Sequence, residues 1–355
     1  MRLRHYLRPL ALLPAGMGLP SAVSLAGGRF AFSLVELIER GDHATKRSVM
    51  TLSEIVAWSQ CQPAHVSERI EERLTHLISA RASLTGRGLE LGLERPRLMA
   101  VLNVTPDSFS DGGEFFDAER AIEHGRDLLA AGADLIDVGG ESTRPGATPV
   151  PVAEECWRVL PVITAMTAQG AQLSIDTRRA EVMQAALAAG AMLINDVSGL
   201  AGDDASLAVA AESSATVVLM HMSGEPATMQ AAPVYQDVVL DVFDWLEARV
   251  AACAIAGIPR GRIIVDPGIG FGKTLDHNLA ILRQLTLFHG LGVPLLLGVS
   301  RKRFVAELSR GEPPKARLAG TLAAGQAALD QGCQMLRVHD LAEAIQARAV
   351  WEGLH

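Results

Sequence analysis

Asn103, Asp137, Asp176, Asn195, His221, Asp266, the trio Ser300-Arg301-Lys302, and the pair Arg337 and His339 share one property: each stands at the end of a short apolar run. Their chemistry is complementary. Carboxylate and amide oxygens accept hydrogen bonds, imidazoles donate or accept, and guanidinium and ammonium groups take anions. Singly, a strand-end Asp or Asn reads as the cap of the turn that follows, because its side chain bonds nearby backbone. Eight runs that all end this way read instead as one constellation facing a common ligand.

The runs that must position these residues are 98–104, 135–139, 173–176, 192–197, 217–221, 263–266, 295–299 and 335–338. Between them lie Ala-rich stretches of helical character. Continuous apolar strands alternating with helices imply a parallel sheet covered on its outer face, and eight such units in about 260 residues predict a closed (β/α)8 TIM barrel. In that fold the C-terminal strand ends converge on one rim, where barrel enzymes keep their sites. A doubly wound open sheet is the alternative, but the nucleotide fingerprint expected after its first strand is absent.

Two loops on the predicted rim carry further chemistry. Residues 103–113 read NVTPDSFSDGG and 137–146 read DVGGESTRPG. The first has turn chemistry throughout and presents Asn103, Asp107 and Ser108. In the second, Gly139 and Gly140 allow a close backbone approach to a ligand, and Arg144 sits at a loop tip. DPGIGFGKT, at 266–274, imitates a phosphate loop, but Pro267 falls where the first glycine is required. Met220-His221-Met222 reads as a pocket wall, since no second soft ligand follows at useful spacing.

Composition narrows the class. With 49% hydrophobic residues the 355-residue chain can bury a large core, and a net charge of -8 argues against an extended nucleic-acid surface. No apolar run reaches the roughly 18 residues of a membrane span. Cys61, Cys156, Cys253 and Cys333 are scattered without a CxxC pair, which predicts reduced thiols in a cytoplasmic protein. A basic, then apolar N-terminus imitates a signal peptide, but Pro14, Gly16, Gly18 and Pro20 interrupt it.

Residues 1–85 differ from the barrel of 86–355 and are expected to form a partly helical extension. They read as irregular to Gly28, then helical over 34–40, 53–57 and 64–81, with a linker at 83–88. Its expected role is packing or support of a homodimer. Every candidate site residue lies beyond Gly88, so the extension is expected to be separable from the site.

Taken together, the two loop strings with SIDTRR (174–179), NDVSG (195–199), LMHMSG (219–224), DPGIGFGK (266–273), GVSRKR (298–303) and RVHD (337–340) resemble the dihydropteroate synthases, over about residues 86–355 and in that family's order. The resemblance implies a transferase of folate biosynthesis, a sulfonamide target, that joins 6-hydroxymethyl-7,8-dihydropterin diphosphate to p-aminobenzoate. It places the pterin on Asp176, Asn195, Asp266 and Lys302, with Met220 against the ring. It places p-aminobenzoate among Phe109, Thr143, Pro145, Phe271, Ser300 and Lys302. Diphosphate and its Mg2+ fall to Asn103, with Asn103 as the metal contact, and to Arg337 and His339. Asp107, Arg144 and Lys302 are the implied catalytic groups. Two rivals share the pterin pocket: a barrel that passes a methyl group to a corrinoid partner, which lacks the second-loop SxRPG and the Arg-x-His pair, and a non-catalytic paralogue.

Overall fold

The computed structural model describes residues 3–18, 21–105, 114–142, 149–224, 229 and 233–355. The chain opens with strands β1 (Arg4–Leu10), β2 (Leu13–Pro14), β3 (Val23–Ser24), β4 (Phe30–Phe32), β5 (Leu34–Arg40) and β6 (Thr45–Thr51). Helices α1 (Leu52–Gln60) and α2 (Ala64–Ile78) follow, then the hairpin β7 (Leu84–Gly86) and β8 (Leu89–Leu91). β1, β5 and β6 form an antiparallel sheet in the order β1-β5-β6.

This corrects two sequence expectations. The stretch 34–40 is a strand, not a helix, and the N-terminal residues read as irregular include β1, its partner. The physical reason is two-sided burial. Val35 and Leu37 pack with Ile55, Val66, Ile70 and Leu77 of α1 and α2, whereas Ile38 and Tyr6 belong to the barrel's own core. A strand covered on both faces loses the alternation that marks a half-buried one. The segment expected to be a linker contains the β7–β8 hairpin, whose turn is Arg87 and Gly88, at φ 51° and 84°. Two consecutive positive φ values fit a tight hairpin turn, but Arg-Gly is not the Asn-Gly pair that announces one.

The barrel consists of β9 (Arg97–Asn103), β10 (Leu135–Gly139), β11 (Leu173–Asp176), β12 (Leu193–Asp196), β13 (Thr216–Met220), β14 (Ile263–Asp266), β15 (Leu296–Leu297) and β16 (Met335–Val338). Hydrogen bonding runs in the order β14-β13-β12-β11-β10-β9-β16-β15. A parallel bridge between Val265 and Leu295 joins β14 to the β15 side and closes the ring. Outside it lie α3 (Glu114–Ala130), α4 (Val152–Thr167), α5 (Ala180–Ala189), α6 (Ser206–Ser213), α7 (Val238–Ile255), α8 (Leu275–Leu282), α9 (Arg303–Leu308), α10 (Leu318–Leu329) and α11 (Leu341–Leu354). No helix among the described residues is long and apolar enough to cross a membrane.

The two ends of the barrel differ in chemistry. At the N-terminal end Leu84, Leu89 and Leu91 of the hairpin pack on the inward-facing Met99, Leu135, Leu193, Val218, Ile264, Leu296 and Met335, which makes a dry floor. At the other end the register sets Asn103 beside Gly139, Gly139 beside Asp176, and Asp176 beside Asn195, so four adjacent strands place three polar side chains and one glycine in one tier.

The N-terminal sheet packs along the barrel rather than hanging from it. Tyr6 meets the ring of Phe243 edge-on at 5.4 Å, and its hydroxyl donates to Asp244 at 2.9 Å. Arg73 of α2, only 3% exposed, donates to the Gly290 carbonyl at 2.8 Å and lies over the Phe243 ring. Ile38→Ala, at a site of 0% exposure on the barrel-facing side, is expected to cost about 2–5 kcal/mol in urea unfolding. An unchanged midpoint would show that the sheet unfolds separately from the barrel.

Candidate active site

Strand-end side chains meet in a pocket of about 450 Å³ at the C-terminal mouth. Its walls include Asp176, Asn195, Met220, Asp266, Phe271, Ser300, Lys302, Arg337 and His339 of the sequence-expected residues, joined by Val197, Ile269 and Gly298. Asn103 stands beside it: its Oδ1 lies 3.5 Å from where a Cβ on Gly139 would be, as does the Asp176 Cβ. Asp107, Phe109, Thr143, Arg144 and Pro145 lie outside the described residues.

The deepest charges are linked across the barrel. Arg337 on β16 donates from Nε to Asp137 Oδ2 and from Nη2 to Asp176 Oδ2, both at 2.7 Å. Asn195 Nδ2 donates to the same Asp137 oxygen at 2.9 Å. Both pKa values move up, which favours the charged form of Arg337 and the neutral form of Asp176. Burial disfavours both charges, yet Asp137 and Asp176 outweigh it at Arg337 and hold its pKa above the ordinary value. At Asp176 burial prevails, and its pKa is raised despite Arg337. The charge count explains the asymmetry, because two carboxylates share one cation. Oδ1 of Asp137 and Oδ1 of Asp176 are buried without a hydrogen-bond partner, and of the two residues Asp176 lines the pocket, where acceptor capacity remains.

Asp266 is pushed up to about 6, chiefly by burial, against the pull of the Gly268 N–H and of Lys302. That N–H donates to Asp266 Oδ1 at 2.7 Å. The turn can form only with glycine at 268, where φ is +70° and a Cβ would fall 2.0 Å from the His221 carbonyl oxygen. Buried Lys273 then knits the loop together, reaching the carbonyls of Gly268 at 2.8 Å and Phe271 at 3.0 Å and His221 Nδ1 at 3.0 Å. Burial and Lys273 push His221 down to about 2, so the imidazole is neutral and its Nδ1 is the acceptor.

The segment 300–302 is held as tightly. Arg301 adopts a left-handed φ of 59°, a conformation that costs a non-glycine residue about 1–3 kcal/mol and persists only where its surroundings fix it. Its N–H donates to Thr321 at 2.9 Å, its carbonyl accepts from Arg317 at 2.9 Å, and its guanidinium forms a double bond pair with Asp340. The result turns both neighbours to the pocket. Lys302 Nζ lies 4.0 Å from the centre of the Phe271 ring, and Ser300 Oγ lies 3.0 Å from His339 Nδ1. Burial, then Arg337, Arg301 and Lys302, depress His339 to about 3 and keep it neutral.

Sequence reasoning listed Asp137 among strand-end groups without a site role and treated Lys273 only as part of a failed phosphate loop. Their partners are 200 and 52 residues away, a separation no local pattern reports.

The profile of the pterin binding enzymes matches residues 99–339. The dihydropteroate synthase of Neisseria meningitidis serogroup B is 46% identical over 270 residues, which span 75% of this chain and 95% of that protein. The chain belongs to the dihydropteroate synthases. Among solved members, that of Xanthomonas albilineans with 4-aminobenzoic acid shares 48% identity with a TM-score of 0.73 and covers 78% of this chain and 98% of its own. The same enzyme in complex with 7,8-dihydropteroate gives 45% identity, a TM-score of 0.70, and coverage of 77% and 98%.

If Asp266 accepts hydrogen bonds from a ligand, it does so as a carboxylate. Asp176, raised to about 7, lines the same pocket, so pterin affinity is expected to level only above about pH 7 and to fall below it, by up to about tenfold per pH unit for each carboxylate that must lose a proton. Calorimetry from pH 5 to 8 checks this, and the dependence should flatten in Asp266→Asn.

Proposed function

We propose that the chain condenses 6-hydroxymethyl-7,8-dihydropterin diphosphate with p-aminobenzoate, releasing diphosphate and 7,8-dihydropteroate, and that the pocket divides this work by depth. One observation carries the reading: the pocket is lined by Asp176, whose buried Oδ1 has no hydrogen-bond partner, together with the cations Lys302 and Arg337. A pterin's amino-pyrimidinone edge is a row of N–H donors, suited to Asp176, Asn195 and Asp266. Met220 lies against the ring and Lys302 completes its contacts. The arylamine's carboxylate end faces Ser300 and Lys302, with Phe271 as the wall, and with Phe109, Thr143 and Pro145 from the two loops.

In the reaction the pterin methylene–oxygen bond breaks and its electron pair leaves with diphosphate. The neutral arylamine nitrogen forms the new bond and then loses a proton. Arg337 supplies fixed positive charge toward the leaving group, and neutral His339 donates a hydrogen bond to it. Asp107 stabilises the cationic methylene, and Arg144 acts when the second loop covers the site and excludes water.

Mg2+ fits this donor set. Asn103 offers a hard amide oxygen at the rim, and magnesium is commonly held by one or two protein groups with substrate phosphates and water. When bound through Asn103 it neutralises charge on the diphosphate. The proposal extends to a cytoplasmic homodimer, in keeping with four cysteines that are free thiols. It also keeps residues 1–85 and 86–355 as extension and pterin-binding barrel.

Turnover of dihydropterin diphosphate, p-aminobenzoate and Mg2+ to dihydropteroate tests the assignment, and a well-folded chain that forms none refutes it. Excess EDTA is expected to abolish turnover, with recovery on adding Mg2+, whereas full activity in EDTA removes the metal from the scheme. Lys302→Ala is expected to weaken use of both substrates, while Arg144→Ala mainly slows turnover, by on the order of 10²-fold. Steady-state kinetics with calorimetric pterin binding separates them, and loss of pterin binding in Arg144→Ala alone contradicts the division.

A further inference from the structure

From the contacts of β5 and β6 we infer that the N-terminal unit is a built-in brace for the p-aminobenzoate side of the pocket, acting through the first turn of α7. The family match begins only at residue 99, beyond this unit. Arg40, at the end of β5, donates from Nη2 to Gln236 Oε1 at 3.0 Å and to Asp241 Oδ1 at 2.5 Å. Arg47 on β6 donates to Asp237 Oδ2 at 3.1 Å. Asp237 is the N-cap of α7: its Oδ1 accepts from the N–H groups of Val239 and Leu240 at 3.1 and 3.2 Å. Asp241 Oδ2 in turn accepts from the Gln236 N–H at 2.9 Å. Two arginines of the extension thus fix the helix start through both oxygens of each of two carboxylates.

One residue upstream, the effect reaches the pocket. The Tyr235 hydroxyl donates to the Gly272 carbonyl at 2.8 Å, and its ring stands edge-on to His277 at 5.0 Å. Gly272 lies between Phe271 and Lys273, and at φ +60° it sits so close to Ser223 that a Cβ would be 2.5 Å from the Ser223 carbonyl oxygen. The backbone that aims Phe271 is therefore pressed between the segment after β13 and the Lys273 ammonium. Arg40, 13% exposed, also pairs with Asp244, so its removal leaves partly buried carboxylates uncompensated and lowers stability. The more exposed Arg47, at 33%, adds little to global stability.

The inference rests on the placement of p-aminobenzoate against Phe271, which wild-type turnover and a raised KM in Phe271→Ala test separately. The experiment is steady-state kinetics of the full-length double variant Arg40→Met/Arg47→Met. KM for p-aminobenzoate is expected to rise about fivefold, the loss of roughly one positioned hydrogen bond. KM for the pterin substrate and kcat should stay near wild type, while the unfolding midpoint falls because Arg40 also holds Asp244. Lysine at both positions should restore much of the effect. Arg69→Met is the control, because it breaks another extension–barrel pair, to Glu247 at 3.0 Å, away from the first turn. An unchanged KM in the folded double variant, or an equal rise in Arg69→Met, overturns the brace. If the double variant does not fold, Tyr235→Phe decides, since it removes the hydroxyl that bonds Gly272 and Ser223 and leaves the ring in place. An unaltered KM for p-aminobenzoate there rejects the inference.

Discussion

Three charges in the barrel interior constrain everything above them. Arg337 sits between Asp137 and Asp176, and all three are withdrawn from water to a degree that no isolated charge tolerates. Such a group is stable only where ring closure brings the eighth strand opposite the second and third. Removing Arg337 would leave two like charges buried together, and removing one carboxylate would still leave a pair. The residual acceptor oxygens are therefore a direct product of the imbalance.

The rest of the site is backbone held in place by side chains. Lys273 serves the loop after the sixth strand as Asp340 and Arg317 serve the segment after the seventh. In both, a charged side chain braces a turn with positive φ, which glycine favours at 268 and which the side chain at Arg301 resists. Neutral histidines belong to the same scheme. His221 and His339 are kept uncharged by burial and by neighbouring cations, which makes each a directional hydrogen-bonding group in a cationic surround.

The barrel was legible because each strand is one uninterrupted apolar run with a polar terminus, and both features follow from two-sided burial and a shared mouth. Nine of the expected pocket residues met in one cavity for that reason. What escaped was non-local. The strand at 34–40 is apolar on both sides because α1 and α2 cover one face and the barrel the other, and nothing within seven residues distinguishes that from a short helix. Asp137 stood in the strand-end constellation without a role, because the Arg337 that pairs with it is 200 residues away. The β7–β8 hairpin was hidden by its Arg-Gly turn.

The sheet that lies along α7 has a consequence for how the molecule is made. Tyr6 and its partner Asp244 are 238 residues apart, so the apolar underside of β1 and β5 leaves the ribosome long before the surface that covers it. At bacterial and eukaryotic elongation rates, that interval is roughly 10–50 s. Over that time the sheet has only α1 and α2 for cover, on one face, while Tyr6 and Ile38 face solvent. Closing so long a loop is slow, and an uncovered sheet is open to pairing with other chains. Nascent chains of this protein therefore expose this sheet face in addition to the open edge of β9, whose Arg97 waits for Met335 of β16.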